Sequence, residues 1–284
     1  MRRLVVNADD FGFTSGVNRA VIEGHRRGII TSTTLMANMP GFDEAVRLAR
    51  GNPSLGVGLH FNITQGRPVA PAAQVRSLTD GRGEFPGTST AVAKRLVTGG
   101  LRRAEIVIEL RAQIEKALNA GLRLSHVDSH KHTHALPQVF DAIIRTIPDY
   151  GIGAVRLQRE RWRPGGMLTS PKVVKQGAVA LALSQLCRAD LVKMRRAGLR
   201  TTDAFFGITQ TGFWTKQWLA RLIENLPEGA SELMCHPGYV NEEMRRAGTR
   251  LTASREQELR LLTDPEIVAL VRNRGVKLVN YAEV

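Results

Sequence analysis

Short apolar runs, separated by longer stretches with apolar residues every three or four positions, set the plan of this chain. The runs fall at residues 4–8, 30–36, 55–60, 124–129, 154–157, 204–208, 232–236 and 276–281 and read as strands. Between most of them the period becomes helical. Residues 15–27 gather Val17, Ala20, Val21 and Ile22, and Gly28 stops the pattern. Residues 43–50 form a shorter helix ending before Asn52-Pro53. Residues 103–120 carry Ile106, Leu110, Ile114 and Leu118 at four-residue spacing, with Gly121 as the stop. Further helical patterns cover 137–147, 216–225 and 256–274.

Strand and helix alternating eight times imply an α/β fold with a parallel sheet. The count of eight predicts a single distorted (β/α) TIM-like barrel with long strand-to-helix loops, spanning 1–284. A doubly wound open sheet is the alternative. It would show a glycine-rich phosphate loop after the first strand, and Asn7-Ala-Asp-Asp-Phe-Gly12 is not one. Two connections are long, 62–101 and 158–202, the second holding an apolar helix around 173–186. Loops of that kind build the mouth of a site.

Composition changes this picture little. The chain is 43% hydrophobic and 23% charged, as ordinary globular proteins are. Its formal charge of +14 raises the question of nucleic acid. The basic residues are scattered, however, with one dense stretch at 193–200, and aromatics make up only 5% of the chain. Nucleic acid is therefore not expected, while a basic face could steer anionic or membrane-bound substrates. Cys187 and Cys235 lack CxxC spacing and read as free thiols of a reducing compartment. Too few apolar residues precede Asn7 for a signal-peptide core, and the most apolar segment is too short to cross a bilayer. A cytoplasmic location is expected.

The candidate chemistry is concentrated in Ser125-His-Val-Asp-Ser-His-Lys-His-Thr-His134, which holds four of the seven histidines. His126, Asp128, His130, His132 and His134 fall on every second residue, so in a strand at least the first three share a face. Imidazoles beside a carboxylate suit a divalent metal; a His-rich surface loop is the plainer alternative. Other strands also end in such groups: Asp9-Asp10 on the first, His60 on the third and His236 on the seventh. These are the carboxyl ends at which barrel active sites form. Paired carboxylates in apolar surroundings call for a metal or a basic partner. One carboxylate with two imidazoles leaves positions open for water and substrate, a spare carboxylate can act as base, and a histidine from across the barrel can protonate the leaving group. Metal-assisted hydrolysis of an amide or ester follows.

Asn7-Ala-Asp-Asp-Phe-Gly12, Thr31-Ser-Thr-Thr34, Gly58-Leu-His-Phe-Asn62 with Gly66-Arg-Pro68, the His126–His134 run and Met234-Cys-His-Pro-Gly238 together resemble the YdjC-like carbohydrate deacetylases, chitooligosaccharide and hopanoid-associated enzymes among them. The resemblance implies a distorted barrel that removes N-acetyl groups from amino sugars with a divalent metal. It makes Asp10, His60 and His130 the metal ligands, Asp9 the base and His236 the acid. Asp128 becomes an orienting group, with His126, His132 and His134 in supporting or substrate-side places. Arg156 would position substrate or orient Asp9, unless it is a surface arginine at a strand end. Magnesium fits the family and the carboxylate; zinc fits the imidazoles. The implied partners are an N-acetylated sugar, a membrane-bound glycolipid in transient contact, and a second copy in a homodimer. Two other classes compete. A non-haem iron oxygenase shares the two-histidine, one-carboxylate set, but the spare carboxylate and the strand-helix alternation favour hydrolysis. A catalytically inactive barrel binding sugar or RNA would not need Asp9, Asp10, His60 and His130 together.

Overall fold

The computed structural model describes residues 1–160, 171–249 and 251–284. Its strands are β1 (Arg2–Phe11), β2 (Ser32–Leu35), β3 (Gly56–Phe61), β4 (His126–Ser129), β5 (Ala154–Val155), β6 (Ala204–Phe206), β7 (Gly229–Cys235) and β8 (Lys277–Leu278). Its helices are α1 (Ser15–Arg27), α2 (Phe42–Arg50), α3 (Ser89–Val97), α4 (Arg103–Asn119), α5 (Pro137–Thr146), α6 (Pro171–Arg196), α7 (Lys216–Glu224), α8 (Glu242–Arg246), α9 (Ala253–Leu262) and α10 (Pro265–Asn273). Every expected strand has a counterpart. The single helix expected over 256–274 is two, because Asp264 caps a new helix at Pro265 by accepting from Glu266 N and Ile267 N. The connection at 62–101 contains α3, which the pattern did not reveal, and residues 161–170 of the second connection lie outside the described residues.

All strand pairs are parallel, in the order β5-β4-β3-β2-β1-β7-β6, with β8 alongside the start of β1. The expected closed barrel is met only in part: the ladder is a curled parallel sheet. Its ends, β5 and β6, are not joined by a continuous ladder. Two isolated bridges span the seam, Ala154 with Arg200 and Glu160 with Phe205. Glu160 adds a stitch by accepting from the backbone N–H groups of Ile208 at 2.9 Å and Thr209 at 3.1 Å.

Alternation along β1 separates two environments. Leu4, Val6 and Ala8 join the large apolar core beneath the helices, whereas Val5 faces inward with Ala154, Val279 and Tyr281. Above that small floor the interior turns polar. His126 stacks on Tyr281 with ring centroids 3.8 Å apart, and only a glycine fits beside it: a Cβ on Gly58 would lie 2.4 Å from the His126 ring. α4 ties down the first long connection, since Glu109 accepts from Val69 N and Ala70 N at 2.9 Å each. The polar interior thus has a fixed floor and a fixed wall.

Candidate metal site

Consecutive strand residues point to opposite faces, so Asp9 and Asp10 should diverge. They do not, because the β1–β2 register shifts between Ala8 and Phe11 and Asp10 takes a left-handed conformation at φ 69°. Such an irregularity re-aims a side chain, and aspartate tolerates it better than most residues. Both carboxylates therefore enter one site.

Asp9 is held by Arg156, whose Nη1 and Nη2 donate to its two oxygens at 2.8 and 2.7 Å. The same guanidinium donates from Nε to Glu232 at 2.8 Å and lies 2.5 Å from Asp128 Oδ2. Arg156 is fully buried, which corrects the surface alternative. Burial works against the Asp9 charge, but Arg156 outweighs it and holds the carboxyl well below its ordinary range. Glu232 answers the other way. Burial raises it to about 7 despite Arg156 and the Tyr281 hydroxyl.

Asp10, His60 and His130 meet beside this network. Asp10 Oδ1 is 2.9 Å from His130 Nδ1 and 3.4 Å from His60 Nε2, and the two ring nitrogens are 3.3 Å apart. An ion holding donors at about 2.1 Å would space them by roughly 3–3.5 Å. Asp10 Oδ1 is buried and lacks a hydrogen-bond partner, as is His130 Nε2. Asp128 accepts from His60 Nδ1 at 2.7 Å, which leaves Nε2 facing the other donors. Without an ion, burial depresses His60, but Asp128 and the bonds to Asp10 and Asp128 push it up to about 10. These three residues fit a divalent cation. A second cluster, Asp9, His60 and Asp128, fits one poorly, because Arg156 already pairs with both carboxylates.

The remaining expected residues fall at different depths. His236 Nε2 lies 3.9 Å from Asp9 Oδ2, and burial pushes it down to about 4 against the pull of Asp9 and Asp10. The run from His130 leaves the strand in a tight turn with Lys131 and His132 at φ 53° and 56°. This turn sends His132 to Gln158, Nδ1 to Nε2 3.1 Å, and buries His134 between Ser129 and Gln158. His126, on the floor, reaches Asn7, which donates to Asp9. Several neighbours carried no readable signal. Arg255, on α9, donates to Asp10 Oδ2 at 2.5 Å, and Glu258 accepts from His236 N at 2.6 Å. Both come from a helix whose surface period gave no hint of them. Thr34 bridges His60 and Asp128 at 3.1 Å each. Glu232 was missed as well, although an acid at the head of an apolar run is a signal the sequence carries.

The profile of the YdjC-like protein family matches residues 3–273. The chain belongs to the YdjC-like family. Among YdjC-like relatives, a carbohydrate deacetylase of Geobacillus stearothermophilus is 36% identical, covering 99% of this chain and 98% of its own. A chitooligosaccharide deacetylase of Yersinia enterocolitica is 33% identical over 99% and 98%. In a crystal structure from Enterococcus faecalis, described as a candidate cellobiose-phosphate cleavage protein, 98% of that chain superposes on 99% of this YdjC-like chain. The TM-score is 0.78 and the identity 26%.

Proposed function

We propose that this protein is a metal-dependent carbohydrate N-deacetylase, the whole chain acting as one distorted barrel domain. The observation that carries the reading is the meeting of Asp10, His60 and His130 beside an Asp9 locked by Arg156. Its full-length relatives named carbohydrate deacetylases supply the substrate class. Asp10, His60 and His130 would hold the ion, magnesium by family resemblance or zinc by its imidazole donors. When bound, the ion would polarise the acetamide carbonyl and acidify a water.

The protein's own groups do the rest. Asp9, kept ionised, takes a proton from the attacking water. The water oxygen adds to the carbonyl carbon, the C–N bond breaks, acetate leaves, and the sugar nitrogen takes up a proton. His236 rests neutral with Nε2 3.9 Å from Asp9 Oδ2, and closing that gap on substrate binding would let it take the proton from Asp9 and pass it to the departing amine. Arg156 fixes the direction of Asp9, and Asp128 fixes the tautomer of His60. His132, partly exposed, is the histidine of the run best placed to meet sugar, with His126 and His134 supporting from below.

The substrate is an acetylated chitooligosaccharide or an N-acetylglucosaminyl lipid, hopanoid-linked lipids included. The proposed setting is the cytoplasm, in keeping with two buried free thiols, with transient contact to a membrane-bound glycolipid and assembly as a homodimer. Acetate release from diacetylchitobiose, longer chitooligosaccharides and N-acetylglucosaminyl lipids, assayed after chelation and add-back of magnesium or zinc, tests the reading. A product lighter by one acetyl with the glycosidic bond intact is expected. Free monosaccharide, or no acetate from any substrate with either metal, overturns it.

A further inference from the structure

α6 presents two unlike faces. Val173, Ala180, Cys187 and Met194 are at most 2% exposed and seat the helix on the protein. On the other side Val174, Val179, Leu181, Leu186 and Val192 are 44–53% exposed. Five of the eight large apolar side chains exposed among the described residues therefore lie on one helix. At about 100° per residue they fall within one arc of about 160°, opposite the buried set. Lys175 and Arg196, both exposed, lie in the same arc, and so does half-exposed Lys193, which also pairs with Asp141 at 2.8 Å. The one acid in the helix, Asp190, is buried. An apolar surface whose charged neighbours in the same arc of the described helix are all cations is a poor face to leave in water.

We propose that this outward face of α6 is a docking surface for an anionic lipid bilayer. Charge decides the occupant. A second copy meeting the same face about a two-fold axis would bring Lys175, Lys193 and Arg196 against their own counterparts, on chains that each carry +14. Anionic headgroups neutralise these cations while the acyl boundary takes the Val and Leu side chains. No helix among the described residues is long and apolar enough to cross a membrane, so α6 lies in the interface.

The helix that carries the docking face packs its other side against the candidate site. From the inner side of α6, Ser184 Oγ donates to Gln158 O at 3.1 Å and Glu160 O at 3.0 Å, and Cys187 Sγ donates to Gln158 Oε1 at 3.4 Å. Gln158 in turn meets His132. A membrane on the outer face of α6 would lie one helix thickness, about 10 Å, from the Gln158–His132 wall. That this brings a lipid-borne sugar to the site rests on the proposed function; the docking does not.

The test is co-sedimentation with phosphatidylcholine vesicles, with and without phosphatidylglycerol, at physiological ionic strength. The parent is expected to favour the anionic vesicles by at least about tenfold. Leu181→Glu/Val192→Glu and Lys175→Glu/Arg196→Glu should each lose that preference while keeping the parent's circular dichroism. Leu186→Trp keeps the face apolar, and its emission should shift to the blue with anionic vesicles. Absence of parent binding, no tryptophan shift, or variants that bind as the parent does would overturn the proposal. So would a parent dimer that these variants convert to monomer without any lipid binding, which would assign the face to a second copy. None of these readouts uses deacetylase activity, so the docking and the reaction can fail separately.

Discussion

Arg156 serves three carboxylates at once, and each is asked for something different. Asp9 is held charged and aimed at the site, Asp128 turns its other oxygen to His60, and Glu232 accepts from the Tyr281 hydroxyl on the floor of the curled sheet. Two substitutions separate these duties. Asp9→Asn should retain the ion but lower kcat by roughly 10²–10⁴-fold, the usual worth of a placed base, measured by acetate release. If metal content falls instead, Asp9 rather than Asp10 is the ligand. Asp128→Ala removes the acceptor that fixes the His60 tautomer. It should weaken metal binding by roughly 10–100-fold in isothermal titration. An unchanged affinity would leave Asp128 as a mere counter-charge to Arg156.

The elements explain why so many unlike residues can meet. A floor made by the last turn of chain, Tyr281–Glu283, lifts the polar layer, and the β3–β4 contact sets its height. Gly58→Ala should cost about 1–3 kcal/mol by urea denaturation, because its Cβ would press on the His126 ring and on His126 O at 2.7 Å. A neutral result would mean that β3 and β4 can part without loss. Strand ends were the legible part of the sequence, since Asp9, Asp10, His60, His130 and His236 each close an apolar run. Helical contributions were not. Arg255 and Glu258 lie in α9, whose apolar period continues across the Asp264-Pro265 break, and only tertiary packing turns them inward. The left-handed Asp10 was equally hidden, because alternation alone assigns neighbouring carboxylates to opposite faces.

For the molecule as a whole, the interior charge ledger has a consequence for pH. Glu232 is raised from 4.5 to about 7 in the folded state, so the native protein holds a proton there that the unfolded chain releases. Its contribution to stability is complete below about pH 4.5 and is lost as pH rises through 7. Glu232→Gln cannot release that proton. Relative to the parent, the variant should therefore gain stability between pH 4.5 and 7, on the order of 1–3 kcal/mol, in paired denaturation curves. A constant difference across that window would show that Glu232 is ionised throughout. The overall α/β plan was readable from eight apolar runs. The open seam was not, because it depends on Glu160 accepting from backbone groups near residue 208 rather than on any periodic pattern.

The central place of β1 also bears on how the protein is made. Of the eight described strands the one carrying Asp9 and Asp10 is synthesised first, and β2 follows soon after, yet its other two partners, β7 and β8, begin only at Gly229 and Lys277. Until Arg156 and Arg255 have left the ribosome, the nascent chain holds two adjacent acids with neither of their native counter-charges. Assembly of the site thus waits for β7 and α9, and a chain released before Tyr281 emerges leaves Ser32 and Glu232 without its cover.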